Sequence, residues 1–275
     1  MTARDRYKGI FPAILLGLLG LHSVSDGAGL NTDVALTPPE DGTIIRLQWR
    51  YTTLSNDPTP MDRDVSLTVN PLTVVHGLTE NLALLATLPS IHRRVELPSG
   101  EDMEDTGLGD IPLLFKYRFY QDDELGVTTR WAMIGGVEIP SYDEDFSSES
   151  FDPIIGTVWT HQRRDWWIDW DLIYKFNTAG GAAGDDILRG DTAASIRFLG
   201  GESEKTGPWA LYGIGEINAI YITDGSTQMF LSPGIQFMTS RWLLEGGVQL
   251  PVHQDMKSPR LENDYTIVLS FRFLF

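Results

Sequence analysis

The sequence predicts an all-β fold, a transmembrane antiparallel up-and-down β-barrel of about 12 strands, and three observations predict it. Beyond residue 42, segments of strand length sort apolar residues onto one face and polar residues onto the other. The connections between them alternate between short and long, the asymmetry of barrels with short periplasmic turns and long extracellular loops. The chain ends by placing Tyr265, Ile267, Leu269, Phe271, Phe273 and Phe275 on one strand face, with Ser270 and Arg272 on the other.

Taken in order, Arg4, Arg6 and Lys8 precede an apolar run from Ile10 to Leu21, and Ser23-Val24-Ser25 then supplies small residues. This pattern reads as a cleaved signal peptide over residues 1–25, too short for a membrane-spanning helix of about 20 apolar residues. It directs the mature chain to the cell outer membrane of a Gram-negative bacterium. Residues 26–42 form a short periplasmic segment and 43–275 the barrel. The 26–42 stretch is too short for a sizeable plug, and an external loop such as Ile91 to Gly109 could fold inward instead.

The clearest strand is Trp166 to Asn177: Trp166, Ile168, Trp170, Leu172, Tyr174 and Phe176 form one row, and Trp167, Asp169, Asp171, Ile173, Lys175 and Asn177 the other. Similar sorting marks Ile45–Tyr51, Leu113–Phe119, Val127–Glu138 and Trp242–Leu250. Weaker segments lie near 65–75, 82–90, 153–160, 191–199, 208–217 and 228–238, where Pro71 and Pro233 are expected at bulges or strand ends. The long connections are 52–64, 91–109, 139–152, 178–190, 219–227 and 252–264. They carry Glu101, Asp102, Glu104, Asp105, Asp143, Glu144, Asp145, Glu149, Asp185 and Asp186. Trp166, Trp209 and Trp242 fall at periplasmic strand starts and Trp49 with Tyr51 at the outer end of the first strand, as two interfacial aromatic belts require.

Composition narrows the function. With no cysteine, disulfides, thiolate metal sites and cysteine nucleophiles are excluded. A net charge of −17 disfavours a nucleic-acid partner. No loop has the residue order of a calcium hand, so no metal ligand and no cofactor is assigned. The acidic loops read either as a solvated surface or as a mouth that concentrates cations among lipopolysaccharide. The histidines His76, His92, His161 and His253 fall in turns or loops, and neither a Gly-x-Ser-x-Gly elbow nor a His-Glu-x-x-His helix occurs, which argues against an enzyme.

With apolar faces outward, the lumen is lined by Arg46, Arg50, Lys116, Arg118, Arg130, Lys175, Arg197 and Arg272 beside Glu138, Asp169, Asp171, Asp191 and Glu245. These either pair and help fill the interior or form a cationic ladder that guides a solute. The function expected is passive or facilitated passage of a small molecule. A structural or adhesive surface barrel is the alternative, and a barrel hydrolase is less favoured.

Two resemblances add to this reading. The ending, with Tyr265, Phe271, Phe273 and the final Phe275, resembles the signal that the barrel-assembly machinery reads in outer-membrane barrels. The stretches Gly107-Leu108-Gly109-Asp110-Ile111-Pro112-Leu113-Leu114-Phe115-Lys116-Tyr117-Arg118-Phe119, Asp152-Pro153-Ile154-Ile155-Gly156 and Leu231-Ser232-Pro233-Gly234-Ile235-Gln236-Phe237 resemble the phenol-degradation meta-pathway family of outer-membrane transporters. That resemblance implies uptake of hydrophobic or aromatic compounds, which gain little from a lumen lined by arginines unless cation–π contacts or a carboxylate on an aromatic acid reverse that judgement.

Overall fold

Thirteen strand segments build one sheet. In the computed structural model, which describes residues 29–100, 102–143, 145–179, 184–201 and 209–275, they are β1 (Thr43–Ser55), β2 (Asp64–Thr79), β3 (Leu82–Glu96), β4 (Asp102–Leu108), β5 (Ile111–Glu124), β6 (Val127–Ile139), β7 (Asp152–Arg163), β8 (Trp166–Lys175), β9 (Ile187–Gly201), β10 (Trp209–Ile222), β11 (Thr227–Thr239), β12 (Trp242–Asp255) and β13 (Glu262–Leu274). The expected signal peptide, 1–25, lies outside the described residues.

β4 pairs with Ser90–Glu96 of β3 and β5 with Leu82–Ala86, so the two share one position and the wall has 12 strands. All ladders are antiparallel, and β1 closes the sheet against β13, with Arg46 opposite Arg272 and Trp49 opposite Leu269. Closure removes the sheet edges that a membrane would leave unsatisfied.

Period-two alternation decides which residues face the lumen. On β1, Ile44, Arg46, Gln48, Arg50, Thr52 and Leu54 are buried, while Leu47 is 52% and Trp49 37% exposed. Tyr117, Phe119, Met133, Ile155, Ile196, Leu231 and Leu269 continue the exposed apolar surface around the wall. A water-soluble domain rarely carries such a continuous apolar band, whereas lipid selects it.

Several expectations are corrected. The 91–109 region is no inward loop: β3 continues to Glu96 and returns as β4, tied by Arg93–Asp105 at 3.2 Å and Arg94–Asp102 at 2.6 Å. Extension of β10 and β11 likewise shortens their connection to residues 223–226. Because β1 runs to Ser55, Trp49 sits at its midpoint rather than its end, stacked on Tyr51 at 6.1 Å. Pro71 and Pro233 lie inside strands, where the β1–β2 and β11–β12 ladders lapse, so their missing N–H groups cost no ladder bond there.

Trp166, Trp209 and Trp242 begin β8, β10 and β12 at the end with the short connections, called the turn end below. The Phe237 ring lies between Trp209 (5.7 Å) and Trp242 (5.3 Å), making a continuous aromatic patch. Inside the barrel near the same end, Trp167 and Tyr212 pack at 4.2 Å. Trp167 is 3% exposed, so Trp167→Ala should cost about 3–5 kcal/mol, read by urea unfolding in vesicles; Trp166→Ala, on the outer face, should cost much less.

A plugged, charge-lined lumen as the candidate functional site

The lumen carries charges that bulk water does not reach, and each must find a partner inside the protein. Arg46 and Arg272, directly opposed across the β1–β13 ladder, share Glu245 at 2.6 and 2.8 Å. On the far wall Arg189 joins Asp191 at 2.8 Å, with Asp171 and Asp33 each at 3.6 Å. Lys175 meets Glu138 at 2.7 Å toward the loop end, and Thr160 donates to the wholly buried Asp169 at 2.7 Å.

The remaining partners come from the chain before β1. Residues 29–37 enter the lumen from the turn end as an irregular arch, with Leu30 to Ala35 buried. At one foot the Gly29 and Leu30 carbonyls accept from Arg272 (3.2 Å) and Arg46 (3.0 Å). At the crown the Asn31 N–H donates to Glu216 at 3.0 Å, its side-chain carbonyl accepts from Arg50 at 2.8 Å, and the Asp33 N–H donates to Asp171 at 2.6 Å. Descending, the Val34 carbonyl accepts from Lys116 at 2.8 Å and the Ala35 N–H donates to Thr160 at 2.9 Å. The expectation that 26–42 is too short to plug the barrel is therefore corrected. An extended segment needs few residues when the wall supplies hydrogen-bond partners along it, here to Leu30, Asn31, Asp33, Val34 and Ala35.

A local gap admits this arch. Leu30 projects onto Gly234 and Gly247, which face each other on β11 and β12, and a Cβ at either glycine would overlap its side chain.

The lumen wall is not charged throughout. Val75, Leu85, Leu114, Ile134, Ile154, Val158 and Ile173 form a buried apolar surface across β2–β8, interleaved on β5, β6 and β8 with Lys116, Glu138, Asp169, Asp171 and Lys175 and touched by Ala35 of the arch. Toward the loop end a second apolar cluster lines β1–β3, capped by Phe146 and Leu261 from the connections before β7 and β13. The 256–261 connection is held by Arg260, which bonds Asp224 at 2.7 Å and Asp185 at 3.0 Å.

Of the sequence-derived lumen residues, Arg46, Arg50, Lys116, Glu138, Asp169, Asp171, Lys175, Asp191, Glu245 and Arg272 are buried inside. Arg118 and Arg130 are less enclosed and lie on adjacent β5 and β6. Arg118 donates to the Glu80 carbonyl and Asn81, Arg130 pairs with Asp123, and Arg197 pairs with Asp165. These three tie down the turn end rather than join the central belt. Sequence reasoning missed Asp33, Arg189 and Glu216. Arg189 belongs to β9, which begins at Ile187, ahead of the expected strand, and Glu216 follows two glycines that blur its alternation. Among the described residues no group of three or more His, Asp or Glu could hold a metal ion.

The fold is that of an outer-membrane β-barrel. The chain resembles in structure an outer membrane channel from Pseudomonas putida F1, at 14% identity over 92% of this chain and 100% of that one, with a TM-score of 0.59. It also resembles the beta domain of the Bordetella autotransporter BrkA, at 9% identity over 86% of this chain and 100% of that one, with a TM-score of 0.52. No family model matches the chain, and no curated protein matches its sequence. Identities this low speak for the fold alone.

Two outcomes follow from this geometry. Glu245→Gln leaves Arg46 and Arg272 facing each other uncompensated and should cost about 3–5 kcal/mol on urea unfolding. Replacing all three by apolar residues of similar volume should recover most of that loss. At the loop end, burial alone would raise the Asp224 carboxyl, but hydrogen bonds from Arg260 and Ser226 hold it below the ordinary aspartate range. The latch thus contributes stability above that range and loses it as pH falls through the lowered value. Hydrogen exchange of the 256–261 connection, corrected for intrinsic rates, should stay constant from pH 7 to 5 and rise only below about pH 4.

Proposed function

We propose that the chain is an outer-membrane channel or transporter through which small apolar or aromatic molecules pass by passive or facilitated diffusion. The turn end faces the periplasm and the long loops face outward. The observation that carries this reading is the aliphatic lumen surface that runs between internally paired charges. An unbroken ring of arginines would reject an apolar solute, but here the ionic belt is compensated internally and the β2–β8 surface offers aliphatic contact. The solute has somewhere to go without desolvating a charge.

Residues 29–37 obstruct this path, and their attachment suits displacement. The segment shares no strand ladder with the wall and is held by separate hydrogen bonds and the Leu30 contact. The outward apolar band and the structural similarity to an outer membrane channel from Pseudomonas putida F1 support location in the outer membrane. Export through the 1–25 signal and assembly through the Phe275 ending complete the reading.

The test is conductance in planar bilayers of the signal-free protein against a variant lacking residues 29–37, each verified as a heat-modifiable barrel. The intact protein should give small or rare current steps and the shortened one larger, sustained steps, with faster entry of an aromatic dye into vesicles. Equal current and equal dye entry from the two proteins would contradict a plugged transport path.

A further inference from the structure

The strand residues of the buried apolar cluster at the loop end are all aliphatic. Leu54, Val65, Leu67, Val69, Ile91 and Val95 all point into the lumen from β1–β3, making an aliphatic half-cup above the ionic belt. Two residues from outside the strands close it, Leu261 of the 256–261 connection and Phe146. Phe146, 4% exposed, reaches in from the 140–151 connection and lies under the Arg93 guanidinium, 4.8 Å from its ring centre.

That connection is attached by polar contacts at its flanks. Asp110, buried at the break between β4 and β5, accepts the Ser141 N–H at 2.9 Å and the Ser148 N–H at 2.8 Å, and the Ser141 hydroxyl donates to the Leu108 carbonyl at 2.7 Å. Gly107 of β4 leaves room for it, since a Cβ there would overlap Asp143 and Phe146. Between the flanks, the benzyl group of Phe146 is the anchor.

We infer that this cup is a binding site for a single-ring aromatic molecule, and that Phe146 occupies it in the absence of that molecule. The inference rests on the transport reading for its biological use, but the binding chemistry stands independently. A cavity of benzyl size lined by aliphatic side chains stays dry and takes up benzene-like molecules. The Arg93 guanidinium, held at the rim by Asp105 at 3.2 Å, adds an attraction to the face of a π-system that a saturated ring lacks. The site therefore prefers an aromatic ring to an aliphatic one of equal volume. Phe146 acts as an internal competitor, so the intact protein binds with an affinity reduced by the fraction of molecules in which the cup is vacated.

The test is titration of the folded barrel in detergent with toluene and with methylcyclohexane, followed by the shift in thermal midpoint. Phe146→Ala should bind toluene about tenfold more tightly than the parent, and methylcyclohexane distinctly less well than toluene. Arg93→Met in the same background should abolish the preference, and Phe146→Leu, which refills the cup, should abolish most of the gain. If Phe146→Ala does not give a heat-modifiable barrel, Asp110→Ala loosens the connection with the cup intact and should also strengthen toluene binding. Toluene affinity unchanged by these substitutions, or equal preference for the two rings, would overturn the site. Tight toluene binding by Phe146→Ala without any uptake would leave the site standing and remove the transport reading; uptake with unchanged binding would do the reverse.

Discussion

Closing β1 against β13 sets Arg46 directly opposite Arg272 inside the barrel, and much of the lumen can be understood as the answer to that placement. Two buried like charges on adjacent strands repel and cannot shed their charge. Glu245 on β12 bridges both, and the carbonyls of Gly29 and Leu30 take further guanidinium protons. On the opposite wall the carboxylates Asp171 and Glu216 accept backbone N–H groups from the same segment. The arch is thus a set of backbone dipoles turned carbonyl-first toward the arginines and N–H-first toward the acids.

On the proposed reading, this arrangement would reconcile a charged interior with passage of an apolar solute. Charges that satisfy one another and a plug do not present a bare ladder, so they act as a scaffold for the arch rather than as a selectivity filter. The aliphatic residues of β2–β8, lying between charges that are already paired, are where an apolar molecule would lose least. Loss of the arch would change both features at once, uncovering the path and rehydrating the belt. Obstruction and electrostatic balance are therefore coupled through the same few residues.

Much of the wall was legible because a half-exposed strand has a period of two and the bilayer punishes exceptions. β8 reads cleanly, since Trp166 to Lys175 alternates without a break. The β3–β4 hairpin was read as a loop because its charges resemble a solvated surface; they are cross-strand pairs such as Arg94 with Asp102 on a sheet that continues beyond the apolar band. The inward placement of Asp169, Asp171 and Lys175 on β8 was legible for the same periodic reason. The arch was not, because Gly29 to Thr37 has no periodicity and its partners are remote: Asn31 and Glu216 are 185 positions apart, and Asp33 and Asp171 are 138 apart. Phe146 was hidden likewise, as one aromatic residue within an acidic stretch.

The central claim is that the arch must leave its place for a solute to pass, and the cysteine-free sequence allows a direct measurement. Leu30→Cys combined with Gly234→Cys would place two thiols at the point where the arch meets the wall. Uptake of an apolar aromatic dye into vesicles can then be followed with the pair oxidised and reduced in the same preparation. The account predicts that the disulfide stops uptake and that a reductant restores it. Equal uptake in the two states would show that solute passes with the arch in place, or by another route, and would contradict it.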